Sequence, residues 1–339
     1  MPSIEIHQVA SGPVSFNYTI STPTSNSAKR IDPKLPTILF FHPVSIPQEE
    51  FIVQFGDPKI RQFNLVGVDM RSHGGTKAKV PSDFGQEMAT EDMARFMIEM
   101  KLPPCHIFAL SFGTIVALQL AVSHPEKVLS LFLVSPLGLE EPQVAAEGRQ
   151  AIHDAWINGW RDGKPHCEEL AYSIQGALEL CFYDRTLSIS KAFLTLVSPT
   201  CLKNWGASRL DEYRTITLDL FLNRRPHSVE ELRNIKVPVK LIHGMEDVGY
   251  TLEYSQEFLQ HLHDAGVDAS LEAISGASHF GCIEQYAIVN PIFHDFIIQQ
   301  LEGPIPTLTK AVVSPWESKL KKKGWVKEGN VLDDDSDED

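Results

Sequence analysis

Hydrophobic and polar positions along the chain follow two alternating patterns. Short, mainly apolar runs occupy residues 37–41, 63–68 and 128–134, a pattern typical of strands buried on both faces of a parallel sheet. Between such runs, segments such as residues 90–101 place apolar side chains every three or four positions and predict helices. Strands that alternate with helices predict an α/β fold with a doubly wound, mostly parallel sheet covered by helices on both faces.

The alternation stops after residue 138 and resumes towards the C-terminal end of the chain. Residues 139–228 contain helical segments without a clear strand, whereas residues 239–243 and 269–274 again read as strands and residues 283–301 as one helix. We therefore expect a helical cap inserted over the carboxyl edge of the sheet. The expected units are a core of residues 1–138 and 229–302, a cap of residues 139–228, and a C-terminal segment of residues 303–339.

Composition and charge restrict the possible partners. The 339 residues are 43% apolar, which is enough to form a large core, and the net charge is −14. This charge disfavours nucleic acid and anionic membranes, because phosphate groups would be repelled. Six of the acidic residues lie in residues 333–339, after a basic run at 319–323. We predict a disordered tail there, whose deletion from residue 319 onwards leaves stability nearly unchanged.

The cysteine usage and the N-terminal residues predict a cytoplasmic protein. The five cysteines are odd in number and contain no CxxC pair, as expected for free thiols in a reducing compartment. The first residues carry no basic leader followed by an apolar run. The longest apolar stretch is interrupted by Ser111, Thr114 and Gln119, so we expect no membrane span. No metal-ligand cluster or phosphate-binding glycine loop stands out, so we expect no metal and no cofactor.

Ser111 stands at a junction between a predicted strand and a predicted helix. The residues two before and two after it, Ala109 and Gly113, are both small. A strand that becomes a helix within one residue strains the backbone of the serine and crowds these two neighbours together. The pattern therefore predicts a nucleophile presented on a sharp turn, with an ordinary loop serine as the alternative.

Two further reactive side chains follow predicted strands. Asp247 lies four residues after the strand at 239–243, and His279 lies five after the strand at 269–274. Ligands of an open α/β sheet bind at the carboxyl ends of its strands. A serine hydroxyl needs a base within reach, and the imidazole needs a carboxylate to orient it. We expect Asp247 to supply that carboxylate, with adjacent Glu246 as the alternative. Two other acids, Glu140 and Glu141, are poorer candidates.

Five segments in the same order resemble motifs of the α/β-hydrolase superfamily. The resemblance covers residues 10–138 and 236–301 and implies a serine esterase or lactonase branch with a helical cap. The chain order Ser, Asp, His is the one expected for that fold. The matching segments are the elbow at 109–113, the His42-Pro43 turn, residues 69–74, residues 237–247, and His279-Phe280 with Glu284.

This sequence departs from the family motifs at two positions. Ala109 stands in place of the first elbow glycine, which the steric argument tolerates. Pro43 stands in place of the glycine in the family's His-Gly turn, and proline has no N–H to donate. We therefore expect the oxyanion of the reaction to be held by the backbone N–H groups of Val44 and Phe112.

The resemblance implies a serine hydrolase that cleaves a carboxylic ester or lactone of a small to medium apolar substrate. Ser111 would attack the carbonyl, His279 would relay the proton, and Asp247 would orient His279. The alternatives are an acyltransferase, an enzyme that cleaves a carbon–carbon or cyanohydrin bond, and a non-catalytic ligand-binding protein. The near-neutral cap predicts an apolar pocket with few polar anchors. Candidate pocket residues are the cap aromatics Trp156, Trp160, Phe182, Tyr183 and Trp205.

Overall fold

A computed structural model describes residues 2–182, 187–308 and 312–326. Nine strands form one sheet. The strands are β1 (Ser3–Ile6), β2 (Val14–Ser21), β3 (Thr37–Phe41), β4 (Asn64–Val68), β5 (Lys77–Ala78), β6 (Cys105–Leu110), β7 (Val128–Val134), β8 (Val239–Gly244) and β9 (Ala269–Ile274).

The order of the strands confirms the predicted α/β class. Along the sheet they run β1-β2-β4-β3-β6-β7-β8-β9, with β5 paired to β2. The pairs from β4 to β9 are parallel, whereas β2 runs antiparallel to β1, β4 and β5. Every residue of β3, β4 and β6 is buried, as predicted for the mainly apolar runs at 37–41 and 63–68. The strand β6, which leads to Ser111, therefore lies at the centre of the sheet.

Helices lie between the strands and over the sheet. Among them, α3 begins directly after Ser111, α10 packs beside β8 and β9, and α12 packs against β6 and β7. The helices are α1 (Ile52–Phe55), α2 (Gln86–Glu99), α3 (Phe112–Ser123), α4 (Gln143–Asn158), α5 (Cys167–Cys181), α6 (Ser188–Asn204), α7 (Leu210–Arg214), α8 (Leu220–Leu222), α9 (Val229–Leu232), α10 (Leu252–Asp264), α11 (Gly281–Glu284), α12 (Tyr286–Ile298) and α13 (Glu317–Lys321).

Aromatic side chains fill the layer between the sheet and α12. Phe293 of α12 packs edge-on against Phe108 at 4.8 Å and contacts Phe132 at 4.8 Å between ring centroids. Phe108 also stacks on Phe40 and on Phe132, at 5.2 and 5.3 Å. Tilted and edge-on pairs of this kind stabilise a core beyond the burial of their area. They hold the elbow strand firmly in place.

Two predicted helix boundaries were wrong. The single helix expected over residues 283–301 is two helices, α11 and α12, separated at Gln285, whose φ of −111° and ψ of 36° are not helical. The helix expected at residues 90–101 begins earlier, at Gln86. In both cases the apolar spacing was read correctly, but it does not specify where the backbone leaves helical geometry.

Helices α4 to α9 lie between β7 and β8, where the sequence predicted a cap. In the described part of residues 139–228 no strand is present. Helices α4 and α5 pack against each other, and residues 215–219 between α7 and α8 form a π-helical turn. No helix in the described ranges is long and apolar enough to cross a membrane.

The C-terminal segment differs from the predicted solvated tail, because residues 312–326 pack against the body of the protein. Trp316 is fully buried against Phe55, with ring centroids 4.6 Å apart. Leu320 is also fully buried, and Trp325 is 7% exposed. The basic run therefore belongs to a short helix with an apolar face, which the charge pattern concealed. The acidic residues 333–339 lie outside the described residues.

We expect deletion of residues 319–339 to lower the melting temperature by roughly 6 °C or more, since two large apolar side chains lose their buried site. The deletion also removes Lys319, whose ammonium lies 2.5 Å from the buried Glu49 carboxylate. Thermal unfolding followed by circular dichroism measures the effect. Deletion of residues 327–339 is the matched control, because it keeps Leu320 and Trp325. Equal melting temperatures for the two truncated proteins would contradict a stabilising role for this segment.

Candidate active site

The turn after β6 gives Ser111 a backbone conformation that L-residues rarely adopt, with φ 51° and ψ −115°. Its neighbour Gly113 approaches β3 so closely that a Cβ there would lie 2.2 Å from the carbonyl oxygen of Phe41. Ala109 pairs with Phe41 on one side and with Leu133 on the other. Glycine is therefore required at position 113 by close backbone packing, and the strain is concentrated at the serine.

His279 lies between Ser111 and Asp247. Its Nε2 is 2.8 Å from the Ser111 Oγ, and its Nδ1 is 2.6 Å from the Asp247 Oδ2. A carboxylate can only accept, so the hydrogen-bond network assigns the proton to Nδ1 and leaves Nε2 to accept from the serine hydroxyl. The structure thus brings together the three side chains that the sequence singled out. Their catalytic roles stay a prediction.

Asp247, and not neighbouring Glu246, is the carboxylate that reaches the imidazole. Its side chain is fully buried, and its Oδ1 accepts the backbone N–H groups of Gly249 and Tyr250, both at 3.0 Å. The tight turn after β8 thus fixes one oxygen and leaves the other for His279. A carboxylate that accepts several backbone N–H bonds is held in one orientation.

The loop that carries His279 is anchored to three parts of the chain. The Ser135 hydroxyl donates to the carbonyl of His279 at 2.7 Å. The carbonyl of Cys181, the last residue of α5, accepts from the Ser278 hydroxyl at 2.7 Å and from the Phe280 N–H at 3.0 Å. A carboxylate oxygen of Glu284 accepts the Ser278 N–H at 3.0 Å.

The turn after β3 is fixed by His42. Burial lowers the pKa of His42 to about 4, so its ring is neutral. Nδ1 donates to the carbonyl of Pro43 at 2.6 Å, and Nε2 accepts the Met70 N–H at 2.8 Å. This turn carries Val44 to the cavity beside Ser111, while Phe112 is the first residue of α3. The N–H groups at the start of a helix favour negative charge. The oxyanion roles of Val44 and Phe112 stay a prediction.

A cavity of about 100 Å³ lies over these residues, and we call it the Ser111 cavity. Its floor is formed by Ser111, Asp247, His279 and the Val44 turn. Its walls are mainly apolar residues of the cap helices α4 to α6. The wall residues include Ala145, Ile152, Trp156, Ile174, Ala177, Leu178, Leu194, Val197 and Trp205.

A family model described as alpha/beta hydrolase fold matches residues 48–286. The chain belongs to the α/β-hydrolase family. The match begins after the turn that carries Val44 and includes the elbow, the whole cap and the loops of Asp247 and His279. The predicted superfamily is therefore confirmed.

Two proteins of similar sequence have names that indicate different activities, acetyl transfer and lipid hydrolysis. The dihydrolipoyllysine-residue acetyltransferase component of the acetoin cleaving system of Cupriavidus necator is 34% identical over 151 residues, covering 44% of this chain and 36% of that protein. Monoacylglycerol lipase ABHD6 of Homo sapiens is 27% identical over 219 residues, covering 62% of this chain and 61% of the lipase. The chain thus spans about a third and three fifths of the lengths of these two relatives.

A thermophilic esterase from Thermogutta terrifontis shares the fold. Its solved structure superposes with a TM-score of 0.68 at 14% sequence identity, covering 88% of this chain and 99% of the esterase chain. At that identity the likeness concerns the fold alone.

Two of the predicted pocket aromatics line the Ser111 cavity of this α/β hydrolase, namely Trp156 and Trp205. Two others do not. Trp160 packs edge-on against Trp156 at 6.4 Å, and Phe182 packs edge-on against Phe280 at 5.2 Å. Trp160 thus packs within the cap, and Phe182 packs against the loop that carries His279. Tyr183 lies outside the described residues.

A charged cluster that the sequence did not predict lies at the cavity wall. Arg149 of α4 lines the cavity, and its Nε lies 2.5 Å from a carboxylate oxygen of Glu141. Arg224 contacts the other oxygen of Glu141, also at 2.5 Å. Burial raises the pKa of Glu141, but the two guanidinium groups outweigh burial and hold it below its usual value. The wall of the expected apolar pocket therefore includes the charged guanidinium group of Arg149. The residues around Arg149 in the sequence did not indicate this.

The described residues contain no group of three or more His, Cys, Asp or Glu side chains arranged to hold a metal ion. The five cysteines are unpaired. Burial raises the pKa of the Cys282 thiol well above its usual value. It therefore behaves as a small apolar group near the His279 loop.

Proposed function

We propose that this α/β hydrolase cleaves a carboxylic ester or lactone of a small to medium apolar substrate through an acyl-enzyme intermediate. One observation carries the proposal. A continuous hydrogen-bond chain runs from Asp247 through His279 to Ser111, and Ser111 opens into a cavity with mainly apolar walls.

In the first half of the reaction the Ser111 Oγ attacks the acyl carbon, and its proton moves to His279 Nε2. Asp247 stabilises the imidazolium that forms. The carbonyl oxygen becomes an oxyanion and accepts hydrogen bonds from the backbone N–H groups of Val44 and Phe112. Each donor lowers the activation free energy by about 3 kcal/mol. His279 then returns the proton to the departing alkoxide. In the second half, water gives a proton to His279 while its oxygen attacks the acyl carbon. The intermediate then collapses, His279 returns the proton to the departing Ser111 Oγ, and the acid is released.

The cavity supports an apolar acyl or alcohol group of limited size. Its wall is formed mostly by aliphatic and aromatic side chains, so a hydrophobic substrate gains roughly 25 cal/mol for each Å² that it buries. Acyl transfer is the alternative, since the same groups could pass the acyl unit to an alcohol or thiol instead of water. The similarity to an acetyltransferase component over 151 residues favours keeping that alternative.

The test combines a substrate panel with active-site labelling. Purified protein is offered short and medium acyl esters and lactones, with and without an alcohol acceptor, and the products are identified by mass spectrometry. A fluorophosphonate probe is applied in parallel, and the labelled peptide is sequenced. We expect release of the free acid and one label, on Ser111. Labelling of another serine, or no turnover of any ester or lactone, contradicts the proposal, and preferential formation of a new ester would establish acyl transfer.

Trp156→Leu should shift the preferred acyl chain towards longer substrates, because the indole lines the cavity and its removal adds space there. One methylene group that fits or does not fit the cavity changes the activation free energy for that substrate by roughly 1–3 kcal/mol. The measurement is kcat/KM along a series of straight-chain esters. Trp160→Leu is the matched control, since that indole packs behind Trp156 and does not line the cavity. If both variants keep the wild-type optimum, this wall does not select the chain length.

A further inference from the structure

Tyr250 contacts both His279 and Asp247, the two residues hydrogen-bonded in series behind Ser111. Its ring stacks on the imidazole of His279, with centroids 5.2 Å apart and an interplanar angle of 22°. Its backbone N–H donates to the Asp247 Oδ1 at 3.0 Å. The side chain is 5% exposed, so its ring forms a fixed surface on one side of the imidazole.

The hydroxyl of Tyr250 is held by the cap. It donates to the Glu141 carboxylate at 2.8 Å and accepts from the Arg149 Nη2 at 3.1 Å. Glu141 lies just before α4, and Arg149 lies within it. Arg224, from the end of the cap, donates to the same carboxylate oxygen of Glu141 and completes the cluster. The ring of Tyr250 is thus bonded to two separate points of the cap.

The cluster is buried and its groups need one another. The side chains of Glu141 and Arg224 are 3% and 2% exposed, and that of Arg149 is 11% exposed. Burial opposes the charge of Arg149, but its contacts with Tyr250 and Glu141 outweigh burial and raise its pKa. A buried charge that loses its partner is strongly destabilising. The position of Tyr250 is therefore tied to that of α4.

An imidazole held at Nδ1 alone can still rotate about that hydrogen bond. A flat ring stacked on one face restricts this rotation and keeps Nε2 aimed at the Ser111 Oγ. We propose that Tyr250 is a positioning residue that couples the cap to the His279–Asp247 pair, an inference that rests on the function proposed above. A cap that shifts α4 moves the Tyr250 ring and changes the alignment of His279.

Two substitutions separate the parts of this role. Tyr250→Phe keeps the ring and removes the bonds to Glu141 and Arg149, and Tyr250→Leu removes the stacked surface as well. We expect kcat to fall about tenfold in the first and about 100-fold in the second, the size expected for a displacement of about 1 Å in a reacting group. KM should change less than kcat. The rate of fluorophosphonate labelling at Ser111 should fall in the same order, because it needs the same alignment.

Tyr254→Phe is the matched control. The Tyr254 hydroxyl accepts from Arg224 at 3.0 Å and donates to the carbonyl of Leu139 at 2.9 Å. Its ring contacts that of Tyr250, with centroids 5.4 Å apart, and this contact is kept in the Phe variant. Loss of the hydroxyl should affect the melting temperature as Tyr250→Phe does while leaving kcat within about twofold. Equal kcat losses in the two Phe variants would mean that the cluster only stabilises the fold and would overturn the proposal.

Proton NMR of the His279 Nδ1–H gives a readout that is independent of turnover. In wild type this proton, bonded to Asp247 at 2.6 Å, should give a downfield resonance. The resonance should broaden through exchange with water in Tyr250→Leu and persist in Tyr254→Phe. A sharp, unshifted resonance in Tyr250→Leu overturns the positioning role. Should Ser111 prove not to be the nucleophile while the resonance behaves as expected, the proposed reaction fails but the coupling stands.

Discussion

Ser111→Ala should show no measurable turnover of any ester or lactone that the wild-type protein cleaves. Removal of a serine nucleophile from an intact relay costs about 10⁶-fold in kcat. The fold should be retained, since alanine is smaller than serine and the strained φ of 51° is no worse for it. Circular dichroism and the melting temperature check the fold, and the fluorophosphonate probe checks the site.

A second buried serine provides the control for that experiment. Ser130 is buried in β7, where its hydroxyl bonds to the ring of His106 at 2.8 Å. It does not line the Ser111 cavity. Ser130→Ala should be labelled at Ser111 as rapidly as wild type. Stoichiometric labelling of Ser111→Ala at any other serine would show that the nucleophile has been misassigned.

Asp247→Asn should reduce kcat about 10⁴-fold. The amide oxygen of asparagine will remain on the N–H groups of Gly249 and Tyr250, which the Oδ1 of Asp247 accepts now. The new NH₂ group then faces the imidazole, and the Nδ1 of His279 must accept instead of donate. The proton moves to Nε2, so the ring can no longer accept the proton of the Ser111 hydroxyl. The geometry survives, but the base is lost.

Glu246→Gln is the matched control for the carboxylate. Like Asp247→Asn, it replaces one carboxylate oxygen with an NH₂ group, but on the neighbouring residue. We expect kcat within about threefold of wild type, as for a change away from the reacting groups. Steady-state kinetics on one ester at saturating concentration gives both values. A large loss in Glu246→Gln together with a small loss in Asp247→Asn would assign the carboxylate to Glu246.

The sequence predicts those parts of the site that depend on local geometry. The elbow is recognisable because the sterics of a one-residue turn act on Ala109, Ser111 and Gly113, which are neighbours in sequence. The loops of Asp247 and His279 are recognisable because parallel strands end at the same edge. The first rule concerns adjacent residues and the second concerns the topology of the sheet, and neither requires a long-range side-chain contact to be known.

The parts that were missed depend on contacts between distant segments. Tyr250 bonds to Glu141, which lies 109 residues earlier in the chain. The residues around Tyr250 and around Glu141 contain no pattern that predicts this hydrogen bond. The role of the cap aromatics was undecided for the same reason, because a tryptophan that lines a cavity and one that packs behind it have the same composition and spacing. The C-terminal helix was hidden by the lysines that flank its buried leucine.

The bond between the Cys181 carbonyl and the His279 loop bears on how such a protein can be rebuilt. Two donors of that loop end on the last residue of α5, so an excised or transplanted cap would remove a support of the histidine itself. Chimaeras that exchange caps between α/β hydrolases should therefore recover activity only when the segment around residues 278–280 is exchanged as well. The cap and that loop therefore form one structural unit, even though almost 100 residues separate them along the chain.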